Sequence, residues 1–157
     1  MSWMPREEWD ALVRGDGCAM CRELATPDPE NEHSFLVAEL QMGRLRLAKE
    51  QHMPGWCVLV CRRHVREPHE LSPDEAQAFF ADLLHAGRAL EEVYRADKLN
   101  YQILGNLLPH LHVHINPRHW GDRYPGGPVA PPAVPVYLTS DEYQTQIARI
   151  RAALGLE

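Results

Sequence analysis

Long apolar segments and an excess of positive charge are both missing from this sequence. The longest unbroken apolar run covers six residues, 56–61, whereas a membrane-spanning helix needs roughly 18 to 20. Residues 1–15 mix acids, bases and tryptophans without an apolar middle, unlike a secretory signal peptide. We therefore expect a cytoplasmic protein with no membrane partner.

Basic residues are outnumbered by acidic ones. There are 16 Lys and Arg against 22 Asp and Glu, and the formal net charge is −6. Such a chain has no long-range attraction for a nucleic-acid backbone, so a nucleic-acid partner is not expected.

Cysteine is also scarce. Four cysteines without an export signal are more typical of free thiols or metal ligands than of a disulfide framework.

The chain has 157 residues, of which 45% are hydrophobic and 24% charged. These values are typical of one globular domain and too apolar for a disordered chain. Proline and glycine concentrate in residues 117–135, where we expect a loop because helices and central strands reject that much proline. The sequence thus predicts a single domain over residues 1–157, with this loop leading to a C-terminal helix at 139–154.

Apolar spacing predicts the other elements. Ser72, Pro73 and Glu75 are typical of a helix start, and apolar residues then recur every three or four positions up to about residue 96. A short helix is expected near residues 5–15, followed by a polar linker. Short apolar or alternating runs predict strands at residues 34–40, 44–48, 56–61, 100–104 and 111–115. Because strands and helices do not alternate regularly, we predict an α+β fold with an antiparallel sheet of about five strands.

Three of the nine histidines, His110, His112 and His114, occupy alternate positions and are separated by Leu111 and Val113. Alternation with apolar residues matches the period of a strand, so we expect the three imidazoles to project from one face. A polar strand face that is merely rich in histidine is the simplest interpretation. Strict alternation of three favours a chemical role instead.

Two chemical roles remain open at this point. Imidazoles are zinc ligands, and His110, His112 and His114 are a plausible metal set. Alternatively, the central imidazole is a nucleophile at phosphorus, since it is neutral near pH 7, while the outer rings stabilise developing charge. Asn106 and Arg118, which flank the histidines in sequence, supply donors suited to binding a phosphate.

The segment LGNLLPHLHVHINPR at residues 104–118 resembles the motif of the histidine triad (HIT) superfamily of nucleotide hydrolases and transferases. Upstream, PGWCVLVCRRHV at 54–65 and ELSPDE at 70–75 resemble that family's central strand and the start of its long helix. The resemblance is closest to the bacterial branch that includes diadenosine polyphosphate hydrolases. It implies a HIT-like α+β fold with one long helix.

The resemblance also implies a role for each matched residue. His112 would attack the α-phosphorus of a dinucleoside polyphosphate or adenylylated compound and carry the nucleotidyl group until water releases it. His110 and His114 would flank that phosphate, and Asn106 would lie near the bridging phosphates. The family chemistry needs no metal, and members are commonly homodimers joined through the long helix, here residues 72–96. The alternatives are a catalytically slow nucleotide-binding module and a zinc-dependent hydrolase that uses the three histidines as ligands.

Some features of the sequence depart from the family pattern, and others add to it. Trp56 stands where many members have a histidine after the glycine, and residues 49–51 offer several candidates for the ribose-binding side chain. Cys18 and Cys21 have the spacing of half a zinc site. Since some bacterial relatives hold a structural zinc with such a pair, the resemblance implies a structural zinc completed by His110 and by His33 or His52. Residues 62–64, which follow the strand predicted at 56–61, are interpreted as a solvated strand end in preference to a phosphate contact.

Overall fold

One antiparallel sheet holds the strands of the computed structural model, which describes residues 3–26, 28–130 and 132–156. Its strand order is β1-β2-β3-β5-β4, which confirms the predicted α+β class. The strands are β1 (Ser34–Glu39), β2 (Gly43–Ala48), β3 (Cys57–Cys61), β4 (Lys98–Gln102) and β5 (His112–Arg118). The helices are α1 (Arg6–Val13), α2 (Ala19–Ala25), α3 (Pro73–Tyr94) and α4 (Ser140–Ala153), with a short 3₁₀ turn at Pro68–Glu70.

The helix α3 covers one face of the sheet and closes the core. Its start has the predicted capping box, in which Ser72 accepts from the backbone N–H of Glu75 and the Glu75 carboxylate accepts from the N–H of Ser72. Phe79 and Leu90 on this helix are fully buried in one cluster with Leu59 and Val113 of the sheet. Burial stabilises the fold by roughly 1.5 to 3 kcal/mol for each such side chain.

The other face of the sheet is polar where β2 crosses it. Arg44 and Arg46 are buried on β2, and their guanidinium groups reach back to the N-terminal segment. Arg44 donates to the carbonyl of Thr26 at 3.0 Å, and Arg46 pairs with the carboxylate of Glu23 on α2 at 3.4 Å. The segment around α2 is thereby held against this face, beside the central strands.

The structure differs from the sequence-based elements in three places. The polar linker after Cys18 contains a helix, α2, which the sequence pattern missed because seven residues show little periodicity. Strand β4 begins two residues before its predicted start. Strand β5 begins at His112 rather than at residue 111 and continues through Arg118. Within the predicted 117–135 loop, Pro131 lies outside the described residues. No helix of the described chain has both the length and the apolar character to cross a membrane.

Asp82 on α3 ties the helix to the β1–β2 turn. Its carboxylate accepts from the backbone N–H groups of Gln41, Met42 and Gly43 at 3.3, 2.6 and 2.8 Å. Gly43 is required there because a β-carbon would lie 2.5 Å from the side chain of Leu59. The three backbone N–H groups of the turn thus share one buried acceptor, the carboxylate of Asp82.

Replacing Asp82 is expected to destabilise the fold. Asp82→Ala leaves the turn donors without an acceptor and should lower the free energy of unfolding by about 2 to 3 kcal/mol. Asp82→Asn keeps one acceptor oxygen and should cost less. Urea unfolding followed by circular dichroism measures both, with Glu92→Gln, an exposed charge change on the same helix, as the control. Equal stability of the Ala variant and the wild type would contradict this role.

Candidate active site

His112 and His114 lie on β5, between β3 and β4. Alternation along the strand turns both rings to one face, while Val113 and Ile115 point into the core. The two ring centroids are 5.1 Å apart and the ring planes are inclined by 78°. Both side chains line the same two cavities, so both rings face one shared space.

A backbone carbonyl fixes the proton of His112. Its Nδ1 lies 2.6 Å from the carbonyl oxygen of His110, and because a carbonyl only accepts, Nδ1 carries the hydrogen. The neutral ring then has its lone pair on Nε2. Burial lowers the pKa of His112 below its ordinary value, despite the opposing effect of the His110 carbonyl. The ring is therefore held neutral, with a free nucleophilic nitrogen.

His114 has the opposite proton arrangement. The indole Nε1–H of Trp56 donates to His114 Nδ1 at 3.1 Å, and since an indole nitrogen only donates, Nδ1 must hold a lone pair. The hydrogen of neutral His114 is consequently on Nε2. Burial, with a smaller contribution from the neighbouring His112, lowers the pKa of His114 to about 4. The two rings thus offer one acceptor nitrogen and one N–H donor.

His110 does not lie on the face that His112 and His114 share. It precedes β5, is fully buried and does not line the cavities beside His112. Its Nε2–H donates to the carbonyl of Cys61 at 2.7 Å, and burial lowers its pKa to about 4. The expected row of three rings around one phosphate is therefore reduced to two, because the strand begins only at His112.

The ring of His110 instead belongs to a cluster with Cys18, Cys21 and His64. Their ligand atoms all lie within 4.8 Å of one another. His110 Nδ1 is 3.4 Å from the Sγ of Cys18, 3.6 Å from the Sγ of Cys21 and 3.2 Å from His64 Nδ1. Cys18 caps α2 and Cys21 lies in its first turn, which brings both thiols to one point.

This cluster fits a tetrahedral metal. His64 Nε2–H donates to the carbonyl of Val13 at 3.1 Å, so His64 and His110 both direct an Nδ1 lone pair at the other. Two lone pairs at 3.2 Å repel unless a cation lies between them. A tetrahedron with Zn–N and Zn–S bonds of roughly 2.0 and 2.3 Å has an N–N edge of about 3.3 Å and N–S edges of about 3.5 Å, close to the observed N–N and N–S separations.

The thiols would have to lose their protons to bind such a cation. Burial and the adjacent Cys18 raise the pKa of the Cys21 thiol to about 11, whereas a bound cation favours the thiolate. The fourth ligand expected from the sequence, His33 or His52, is not in the cluster. His33 lies at the surface beside Glu32, and His52 pairs with the carboxylate of Glu50.

His64 is the site residue that sequence reasoning missed, since residues 62–64 were interpreted as a solvated strand end. The strand register contains the signal. Val60 lies opposite His112 and Leu59 opposite Val113, so continuing the antiparallel pairing places residue 62 opposite His110. His64 is only two residues further on. Knowing that β3 pairs with β5 would have identified it.

Arg118, which the sequence predicted to bind phosphate, does not line the two cavities beside His112 and His114. It lies four residues beyond His114, about 13 Å along a strand. Its guanidinium group pairs with Asp122 at 2.5 Å and donates to the carbonyls of Tyr124 and Gly127. These bonds use its donors to hold the Pro/Gly-rich loop. Arg118 is therefore a loop anchor in the fold.

Asn106 does lie at the site. It is exposed in the loop between β4 and β5 and lines a cavity of about 470 Å³ with His112, His114 and apolar residues of the same loop. A larger cavity of about 720 Å³ extends from the same two histidines past Trp56 to the start of β1. Polar side chains line it, including Asn31, Ser34 and Glu50.

Comparison with known proteins agrees with this geometry. The HIT domain family model matches residues 30–121. The asymmetrical bis(5'-nucleosyl)-tetraphosphatase of Schizosaccharomyces pombe is 31% identical over 75 residues, which cover 45% of this chain. The chain spans less than half of that relative, 41% of its length.

Solved structures of bacterial histidine triad proteins superpose on the chain. The protein from Bradyrhizobium japonicum is 31% identical, with a TM-score of 0.73 over 78% of this chain and 92% of its own. The protein from Marinobacter aquaeolei is 25% identical, with a TM-score of 0.74 over 88% of this chain and 96% of its own. Both the sequence match and the fold confirm the resemblance, and the chain belongs to the HIT domain family.

Proposed function

We propose that this protein transfers a nucleotidyl group from a dinucleoside polyphosphate or another adenylylated compound to water, through an intermediate on His112. The observation that carries the proposal is the bond from His112 Nδ1–H to the His110 carbonyl. It leaves a buried, neutral imidazole with its lone pair directed toward a cavity, beside the N–H donor of His114. The S. pombe relative is a tetraphosphatase by name, which supports a polyphosphate substrate.

The first step forms one bond and breaks another. His112 Nε2 attacks the α-phosphorus, and the bond from phosphorus to the leaving oxygen breaks with its electron pair on the leaving group. In the second step water attacks the same phosphorus, releases a proton to solvent and returns the electron pair of the P–N bond to Nε2. Hydrogen bonding from His114 Nε2–H to a phosphoryl oxygen stabilises the charge that accumulates in both steps.

The two cavities suit different parts of the proposed substrate. The larger one, with side-chain oxygens and amides, suits a ribose and base, while the smaller one is lined by apolar and uncharged polar groups together with the two histidines. We assign the nucleoside to the larger cavity and the leaving group to the smaller, next to Asn106. Glu50 and Lys49 line the nucleoside side, whereas Gln51 is buried and holds the following turn through its bond to Gly55 N at 2.9 Å.

The zinc-hydrolase alternative loses its basis in this arrangement. Among the described residues, His110, His112 and His114 do not form a group whose ligand atoms converge. The proton arrangement of His112 and His114 serves an attacking nitrogen and a donor instead. A slow nucleotide-binding module uses the same cavities, and turnover separates it from the proposed enzyme.

We further propose a structural zinc held by Cys18, Cys21, His64 and His110. The metal supplies positive charge that stabilises two thiolates, and it takes no part in the reaction. Its effect on the site is indirect: His110 would bind it through Nδ1 while the carbonyl of the same residue orients His112. The ion would thereby fix the residue that positions the nucleophile.

A homodimer is the proposed assembly. Phe80 and Leu84 are exposed on α3, and the same helix packs against β4 at Gly87, where a β-carbon would clash with the hydroxyl of Tyr101. The outer edge of β4 is free in the sheet order, and such an edge is a template for pairing with another strand. A second copy would cover the exposed apolar groups and the strand edge together.

Loss of the His112 imidazole should abolish turnover. For His112→Asn, kcat for AMP release from diadenosine tetraphosphate should fall by on the order of 10³-fold or more, as expected when a covalent nucleophile is removed. His85→Asn, the same change at an exposed histidine of α3, is the control. Turnover near the wild-type value in the His112 variant would exclude the assigned nucleophile. AMP binding without turnover in the wild type would favour the binding module.

Zinc content should depend on the four proposed ligands and not on His112. Metal analysis of purified protein should give about one zinc per chain, since the four donors match one tetrahedral site. His64→Ala should lower this content and the melting temperature, while His85→Ala leaves both unchanged. His112→Asn should retain the metal. Zinc that is lost with His112 but retained without His64 would overturn the assignment.

Charge on the exposed face of α3 should separate the dimer. Leu84→Glu would place carboxylates against each other across the interface, where like charges destabilise association. The variant should elute as a monomer in size-exclusion chromatography with light scattering. Val134→Glu, which introduces the same charge at an exposed apolar residue elsewhere, should remain dimeric. A wild type that is monomeric at micromolar concentration would contradict the proposed assembly.

A further inference from the structure

Trp56 is fixed before any substrate arrives. Its backbone N–H donates to the carbonyl of Met53 at 3.0 Å, and its carbonyl accepts from Ala48 N at 3.0 Å. The preceding Gly55 has a φ of +86°, and a β-carbon there would strike the ring of Tyr94, so glycine is required at this turn. The rings of His52 and Trp56 pack edge to face, with centroids 5.6 Å apart and planes inclined by 84°, and this contact holds the plane of the indole.

The indole is a donor that never accepts. Its Nε1–H points at His114 Nδ1 from 3.1 Å, and the two rings lie 5.6 Å apart between centroids. Protonating Nδ1 of His114 would set two N–H groups against each other at this distance. Trp56 therefore opposes both the other neutral tautomer of His114 and its doubly protonated form.

We propose that Trp56 is a positioning residue that holds His114 as a neutral Nε2–H donor, and that it thereby restricts the enzyme to substrates whose leaving group departs as a stable anion. Phosphoanhydrides and mixed anhydrides of AMP with a carboxylic acid belong to this class. Phosphoramidates of basic amines do not. The inference rests on the proposed function and names the substrate class of the same site.

Proton balance is the reason for the restriction. When His112 Nε2 attacks a phosphoanhydride, the P–O electron pair leaves on a phosphate or carboxylate oxygen, and no proton is needed. Breaking a P–N bond to an alkylamine requires a proton on the leaving nitrogen, because an amide anion is far too basic. Neutral His114 could supply it only by becoming an imidazolate, and an indole cannot relay a replacement proton to Nδ1. A neutral imidazole of this kind polarises an oxygen rather than acting as an acid.

The tautomer can be observed without measuring turnover. In protein labelled with ¹⁵N-histidine, long-range ¹H–¹⁵N correlation spectra should show His114 as a single Nε2–H tautomer and His112 as Nδ1–H. Trp56→Phe keeps an aromatic ring beside His52 but removes the donor, so His114 should become a mixture of tautomers. Trp120→Phe, at an indole that is 96% exposed, should change neither ring. An unchanged His114 in the Trp56→Phe variant would exclude the positioning role.

Substrate choice tests the second half of the proposal. The probes are diadenosine tetraphosphate and the AMP phosphoramidate of an alkylamine. Trp56→Phe should lower kcat on the tetraphosphate by about 10-fold with little change in KM, since the lost donor acts on the charge of the transition state. Trp56→His, whose imidazole can accept as well as donate, allows His114 to be protonated. It should raise the ratio of kcat/KM for phosphoramidate over tetraphosphate by about 10-fold or more.

The outcomes separate this inference from the proposed function. If wild-type activity depends on His112 but the ratio of kcat/KM values is the same in all three proteins, the restriction by Trp56 is wrong and the nucleotidyl transfer stands. If neither probe is hydrolysed, the proposed function fails, while the spectra still decide whether Trp56 sets the tautomer. Urea unfolding of both variants checks that the fold is intact.

Discussion

Backbone carbonyl groups fix the proton position of three of the site's histidines, His64, His110 and His112. The carbonyls of Val13, Cys61 and His110 each accept one ring N–H, and each bond leaves the other ring nitrogen with a lone pair. For His64 and His110 the free nitrogen faces two thiols. For His112 it faces the cavity. The chemistry therefore follows from the path of the main chain, because an imidazole has only one proton to place when it is neutral.

His110 joins the two centres of the molecule. Its ring faces Cys18 and Cys21 on α2, and its carbonyl orients His112 at the start of β5. A change in the thiol cluster that moves this residue also moves the carbonyl that accepts from His112 Nδ1. The N-terminal segment is thus connected through His110 to the ring of His112.

Alternation in the sequence was enough to predict that His112 and His114 share a face, because both lie within a regular strand. The same alternation was wrong for His110, since the strand starts two residues later and the ring turns to the sheet end. Arg118 was expected to bind phosphate from its position in the motif, yet its partner Asp122 and the loop carbonyls are only brought to it by tertiary structure. Helix α3 was predicted closely because its cap and its apolar period are both local.

The proton of His114, unlike that of His112, is set by a neighbour that is distant in sequence. Trp56 lies 58 residues before His114 and meets it only because β3 pairs with β5. Since His114 is flanked by apolar residues on its own strand, nothing adjacent in sequence sets its proton. The decisive neighbour is a group that can donate but not accept. In a site whose histidines are neutral, a neighbour such as Trp56 determines which ring nitrogen of His114 is the donor, and so limits the chemistry that the site can support.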